Sequence, residues 1–176
     1  MPNWNNATLV LKGTKENIDL VVRTGFDFQK IIPMPQEFID DSVGKNLGGR
    51  NWSKDDKAGT LEDWQFHCKT DEEKATMKLH YEEHLKDFEL VVSWIDKYGY
   101  NGWYNWSVEN WGTKWNPYPK SVQLERISDT ELRVELKTAW GLPTKILREL
   151  IKKYNVIILG SQINDDDNKE RAFALS

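Results

Sequence analysis

Between Ala7 and Lys12, Ala7, Leu9 and Leu11 alternate with Thr8, Val10 and Lys12, the two-residue period of a strand with one face buried. Gly13-Thr14 supplies a turn and an N-cap. Ile18, Val21 and Val22 then share a helical face up to a stop at Gly25. Asp27 to Pro35 reads as extended, because each proline pushes its predecessor toward β or polyproline geometry. Gln36 to Trp64 is loop-rich, with Gly44, Gly48, Gly49 and Gly59 scattered among charges. The clearest helix runs roughly from Asp71 to Tyr98, with Met77, Tyr81, His84, Phe88, Val91, Val92, Ile95 and Tyr98 in one stripe. Asp71, Glu72 and Glu73 suit its positive end, and Gly99 stops it.

A hairpin follows, with Val122 and Leu124 on one strand and Leu132, Val134, Leu136 and Thr138 on the other, joined across Ser128-Asp129-Thr130. Pro143 opens a last helix, whose Ile146, Leu147, Leu150, Ile151 and Tyr154 form a stripe ending at Asn155. The continuous apolar run Val156-Ile157-Ile158-Leu159 has the character of a strand covered on both faces. Ala172-Phe173-Ala174-Leu175 adds a short edge strand. The order approximates a split βαββαβ plan, an α+β fold with helices on one face of an antiparallel sheet. A helical, Trp-rich insertion at about 36–118 sits between the second strand-like segment and the hairpin, within one domain spanning 1–176.

The bulk numbers narrow this picture. A chain of 176 residues, 39% apolar and 30% charged, has the composition of a folded domain. It has no apolar run near the ~18 residues of a membrane span and no secretion signal at its start, so a soluble, cytoplasmic protein is expected. A single cysteine, Cys68, excludes a disulfide framework and a multi-cysteine zinc cage. The net charge of −4 disfavours a duplex DNA binder. The face opposite Leu132, Val134 and Leu136 presents Arg133, Glu135 and Lys137, mixed charges without rings, which disfavours RNA and suits a solvated or dimer-forming sheet.

Between Tyr98 and Tyr118 the chain places Trp103, Trp106, Trp111 and Trp115 among four tyrosines. Most of these rings read as packing that staples the insertion to the sheet, with one or two exposed at the rim. As a site, Trp103, Trp106, Trp111 and Trp115 with Lys114 could stack a nucleotide-like ligand and hold its phosphate.

The competing enzymatic reading is His80-Tyr81-Glu82-Glu83-His84, a His-x-x-Glu-His pattern that could hold zinc on His80 and His84 with Glu83 as general base. Glu149 or Glu170 would have to supply a third ligand. Against it, His84 lies at the centre of the apolar stripe. Gly44-Lys45 and Gly48-Gly49-Arg50 lack the order of a phosphate loop. Asp165-Asp166-Asp167-Asn168 lacks the glycine and distal glutamate of a calcium loop. His67-Cys68 is read as a half-buried structural thiol beside a histidine.

Several strings together carry a resemblance: Met1-Pro2-Asn3-Trp4, Phe28 with Ile31-Ile32-Pro33-Met34-Pro35, Trp103-Tyr104, Asn110-Trp111-Gly112-Thr113-Lys114-Trp115-Asn116, and Thr138-Ala139-Trp140. The chain resembles the YubB-type ferredoxin-like domain family of phages and plasmids along nearly its whole length. The resemblance implies a ferredoxin-like fold and a mobile-element origin in a bacterial host, and supplies no catalytic residues. The expectation is a non-enzymatic accessory protein without a cofactor. It would bind a host protein or a small nucleotide-like molecule, and so interfere with host defence or metabolism. The alternatives are the metal-dependent hydrolase above and a structural or oligomer-forming component, which leaves room for a homo-oligomer.

Overall fold

Asn5, Ala7, Leu9 and Leu11 are buried while their neighbours are not, and this alternation defines the central strand β1 (Trp4–Lys12). The computed structural model describes residues 3–50, 52–166 and 168–176. The opening Met1-Pro2, Asn51 and Asp167 lie outside them. After β1 come α1 (Lys15–Thr24), α2 (Phe28–Ile31), α3 (Gln36–Val43), α4 (Leu61–Gln65), α5 (Asp71–Tyr98) and α6 (Trp103–Trp111). The hairpin strands β2 (Gln123–Ser128) and β3 (Glu131–Ala139), α7 (Thr144–Tyr154), β4 (Ile157–Asn164) and β5 (Glu170–Leu175) complete the chain. No helix among the described residues is long and apolar enough to cross a membrane.

The chain divides into two compact units, 1–34 with 106–176, and 35–105. The second begins where the insertion is expected, whereas residues 106–118 belong to the first.

The first unit is a mixed α/β structure with a five-stranded antiparallel sheet in the order β2-β3-β1-β4-β5. Register places Leu9 beside Val134 and Gly160, and Leu11 beside Leu132 and Ile158, so the middle of one face is apolar, with Leu9, Leu11, Leu132, Val134 and Ile158 buried. The helices α1 and α7 pack together and contribute Ile18, Val21, Ile146, Leu147 and Leu150 to the core. Each fully buried side chain of this size contributes roughly 1.5–3 kcal/mol. Thr14 caps α1 by accepting from the Asn17 amide, and Gly25 ends it at φ 62°.

Two expectations are corrected here. The segment Asp27–Pro35 is not a strand. The Asp27 carboxylate accepts from the Gln29 amide and starts α2, and Ile32, the residue before Pro33, is extended. Proline restricts its immediate predecessor, not the residues further upstream. The run 156–159 is not covered on both faces either. Val156 and Ile158 are buried, but Ile157 is 51% and Leu159 40% exposed, because register with Lys12 and Val10 puts both on the open face.

In the second unit, α5 has the expected bounds. Its start is a capping box in which Thr70 accepts from the Glu73 amide and Glu73 accepts from the Thr70 amide. Phe38 of α3 meets the rings of Trp94 and Tyr98 edge-on at 5.5 and 5.1 Å. The buried Asp41 carboxylate accepts from the amides of Leu47 and Gly48 at 2.7 and 2.9 Å. Gly48 also passes so close to Gly102 that a Cβ on Gly48 would lie 2.9 Å from the Gly102 Cα. The glycines of this loop therefore serve backbone approach, and its amides already hold an internal carboxylate.

Candidate functional site: an aromatic and lysine rim at the end of the sheet

The Asn-Trp-Gly-Thr-Lys-Trp-Asn string leaves α6 and returns to the end of β3. Asn110 donates its side-chain amide to the Trp106 carbonyl at 3.0 Å. The Trp111 indole N–H donates to the Ile32 carbonyl at 2.9 Å, and its ring meets Phe28 and Trp106 at 5.7 and 5.5 Å. Gly112 takes φ 78° at the helix exit. Buried Thr113 donates to the Ala139 carbonyl, the Lys114 carbonyl accepts from Ser107, and Asn116 accepts from the Phe28 amide while donating to Asp27. These bonds make the string a clamp between α2, α6 and β3.

This clamp decides the fate of the expected ligand residues. Trp103, Trp106 and Trp111 are 8%, 7% and 4% exposed, too enclosed to stack a ligand. Trp103 belongs to the second unit, where its indole donates to Asn46 at 2.8 Å. Lys114 and Trp115 do reach the surface, with the ammonium 4.4 Å from the Trp115 ring centroid and 5.8 Å from that of Trp140. Trp115 and Trp140 are 39% and 42% exposed.

Trp140 has φ +69°, a conformation that costs a bulky residue of order 1–3 kcal/mol and recurs at ligand clamps. Its amide donates to the Asn3 carbonyl at 2.7 Å. A second ring and lysine group adjoins it along the chain. Trp4, the register partner of Ala139, meets Tyr118 at 6.4 Å, and the Lys137 ammonium lies 5.3 Å from the Trp4 centroid. Tyr118 is 54% exposed. Trp4, Tyr118 and Trp140 were not among the expected site residues. No local periodicity separates an exposed indole from a buried one, and the only signal was their aromatic character in turn-rich sequence.

On the open sheet face below this rim lies a shallow hollow of about 320 Å³ lined by Asn6, Thr8, Gln123, Glu135, Lys137 and Ser161.

The histidine pair occupies the second unit. The His84 ring sits 5.2 Å from Trp52, edge-on, and 4.8 Å from Trp64, tilted, so it packs against two indoles. Glu83 is held by Lys45 at 3.1 Å, and Lys45 also reaches Asp87 at 2.8 Å. The hydrogen bonds that the Lys45 ammonium donates to these two carboxylates, to Asp87 foremost, hold it above its ordinary pKa. Among the described residues, no three His, Cys, Asp or Glu side chains come together in a way that could hold a metal ion. Glu149 and Glu170 belong to the first unit. Cys68 is half-buried, and the His67 ring turns to Phe66 at 4.9 Å. In the aspartate-rich turn, Asp165 exchanges hydrogen bonds with the Trp4 backbone.

No family model matches the chain, and no curated protein matches it. The chain is similar in structure to the crystal structure of a protein api92 from Yersinia pseudotuberculosis, of the family model DUF1281, with a TM-score of 0.51 and 9% sequence identity. The similarity covers 100% of this chain and 95% of that one, and at this identity it speaks for the fold alone.

Proposed function

We propose that the chain is a non-enzymatic accessory protein that acts by binding, and that the rim built from Lys114, Trp115 and Trp140, with Trp4, Tyr118 and Lys137 beside it, is its contact surface. The observation that carries this reading is Trp140, a large indole held exposed at φ +69° beside the Lys114 ammonium. Exposed Trp and Tyr rings are the usual anchors of protein interfaces, and strain of this kind persists where the surroundings enforce it. The partner is a host protein, and in a mobile-element setting the outcome is interference with host defence or metabolism.

A second reading, a small nucleotide-like ligand, is favoured by the lysine placed at each ring group, which would meet a phosphate while an indole stacks the base. Duplex DNA and RNA are disfavoured by the net charge of −4 and by the mixed-charge face of β3.

The same proposal takes the fold as ferredoxin-like, with β5 added to the sheet edge. Its support is the strand order β2-β3-β1-β4, in which β3 runs antiparallel between β1 and β2. The family resemblance stands on the strings quoted above.

The test is native mass spectrometry of the protein recovered from its natural host, beside Trp115→Ala and Trp140→Ala variants. A retained protein or nucleotide that both variants lose supports the rim. Retention undiminished in both would show that binding lies elsewhere.

A further inference from the structure

The open face of the sheet in the first unit has an arrangement that the core does not use and that shares only Lys137 with the proposed rim. Register sorts its side chains into four rows across the strands. The first holds Glu131, Lys12 and Ile157, and the second Glu125, Arg133, Val10, Leu159 and Ala174. The third holds Gln123, Glu135, Thr8, Ser161 and Ala172, and the fourth Lys137, Asn6, Ile163 and Glu170. Toward β4 and β5 the first two rows are apolar and open to solvent, with Ile157 at 51% and Leu159 at 40% exposure.

We infer that this face is the interface of a two-fold dimer with a second copy of the chain. A two-fold axis between the faces, perpendicular to the strands and passing over Leu9, lays the first row on the fourth and the second on the third. Glu131 then meets Lys137 of the second copy, Arg133 meets Glu135, Ile157 meets Ile163, and Ala174 meets Ala172. No like charges are superposed. An isologous contact requires a patch complementary to itself, and alternation of Glu131, Arg133, Glu135 and Lys137 along β3 satisfies that when reversed.

Two further observations agree. Within the chain, Arg133 already pairs with Glu135 at 2.9 Å and Lys12 with Glu131 at 2.6 Å, so the face brings charges that are largely neutralised before it is covered. The run Val156-Ile157-Ile158-Leu159 has the composition of a strand buried on both sides, and the chain itself covers only one. A second copy supplies the missing layer. Aligned sheets pack about 30° apart, so the rows next to the axis, those of Arg133 and Glu135, stay closest to register. The polar hollow beside Glu135 and Lys137 leaves room for bridging water, which such contacts tolerate.

Charge reversal tests this in a way that loss of folding does not imitate. Sedimentation velocity on the full chain, in a dilution series reaching about 100 μM, an ordinary range for weak association, is expected to show a monomer–dimer equilibrium. Arg133→Glu sets glutamate against Glu135 of the second copy and is expected to weaken dimerisation at least about tenfold, a loss of about 1.4 kcal/mol. The double variant Arg133→Glu/Glu135→Arg rebuilds the complement and is expected to restore it, with circular dichroism showing all three folded. A monomer throughout the series, a dimer indifferent to the single reversal, or a folded double variant that stays monomeric would overturn the inference. None of these outcomes depends on Trp115 or Trp140, so the result is separable from the fate of the binding rim.

Discussion

The indole N–H of Trp111 donates to the backbone carbonyl of Ile32 at 2.9 Å, so the exit of α6 is tied to the segment that follows α2. The ring is 4% exposed and wedged between Phe28 and Trp106. Trp111→Ala is expected to destabilise the protein by about 3–5 kcal/mol, the range for deleting a buried indole. Trp111→Phe keeps most of the packing and strands one carbonyl, so about 1 kcal/mol is expected. Urea denaturation of both variants measures the difference, and a Trp111→Phe variant as stable as the parent would show that the hydrogen bond contributes little.

Backbone contact in the second unit predicts a large effect from one methyl group. At Gly48 an added Cβ would meet the Gly102 Cα at 2.9 Å and the Trp103 nitrogen at 3.0 Å, both backbone atoms that cannot swing aside. Gly48→Ala is expected to cost more than 2 kcal/mol, against about 1 kcal/mol or less for an ordinary surface site. Hydrogen exchange of the α5 amides would register this as faster local opening.

Acid sensitivity follows from Glu37. Hydrogen bonds from Lys97 at 2.6 Å and from the Tyr98 hydroxyl at 2.7 Å lower its pKa from 4.5 to about 2. The same carboxylate raises the pKa of Lys97. With its folded pKa below the unfolded one, Glu37 contributes stability that is complete above about 4.5 and is lost as pH falls toward about 2. The pair is solvent-exposed and partly screened, so the effect is modest. Glu37→Gln is expected to flatten the melting temperature across that window and leave the pH dependence from 6 to 8 untouched.

Trp140 separates stability from binding. Asparagine tolerates a left-handed backbone better than tryptophan does, so Trp140→Asn is expected to keep the melting temperature of the parent or raise it while partner retention falls. A variant that melts well below the parent, by more than about 1 kcal/mol in the conversion appropriate to its size, would show that the indole is chiefly a packing element.

What the sequence made legible divides along physical lines. The stripe of α5, the hairpin at Ser128 to Thr130, and the alternation of β1 are each written in the residues that form them, and they stand where periodicity puts them. In the 27–35 segment the two prolines reach only one residue back each, so they do not keep Phe28–Ile31 from forming a helix. Leu159 and Ile157 looked like core because composition records apolarity, whereas register decides which face a strand residue takes. In the aromatic window most rings are expected inside and one or two at the rim, but spacing does not say which, and the fold decides. Trp111 went inside with a hydrogen bond, and Trp115 went outside beside Lys114. Trp4 and Trp140 could not be chosen from spacing, since a tertiary pair, Trp4 with Ala139, sets their neighbourhood.

The position of β1 sets the order in which this protein can assemble. It is the middle strand of the sheet, yet Leu9 finds Val134 and Gly160 only after more than a hundred intervening residues have been made. Until then its apolar edge has no native neighbour on either side. Long closures of this kind slow folding and expose sticky intermediates, so refolding is expected to be slow and its yield to fall as protein concentration rises.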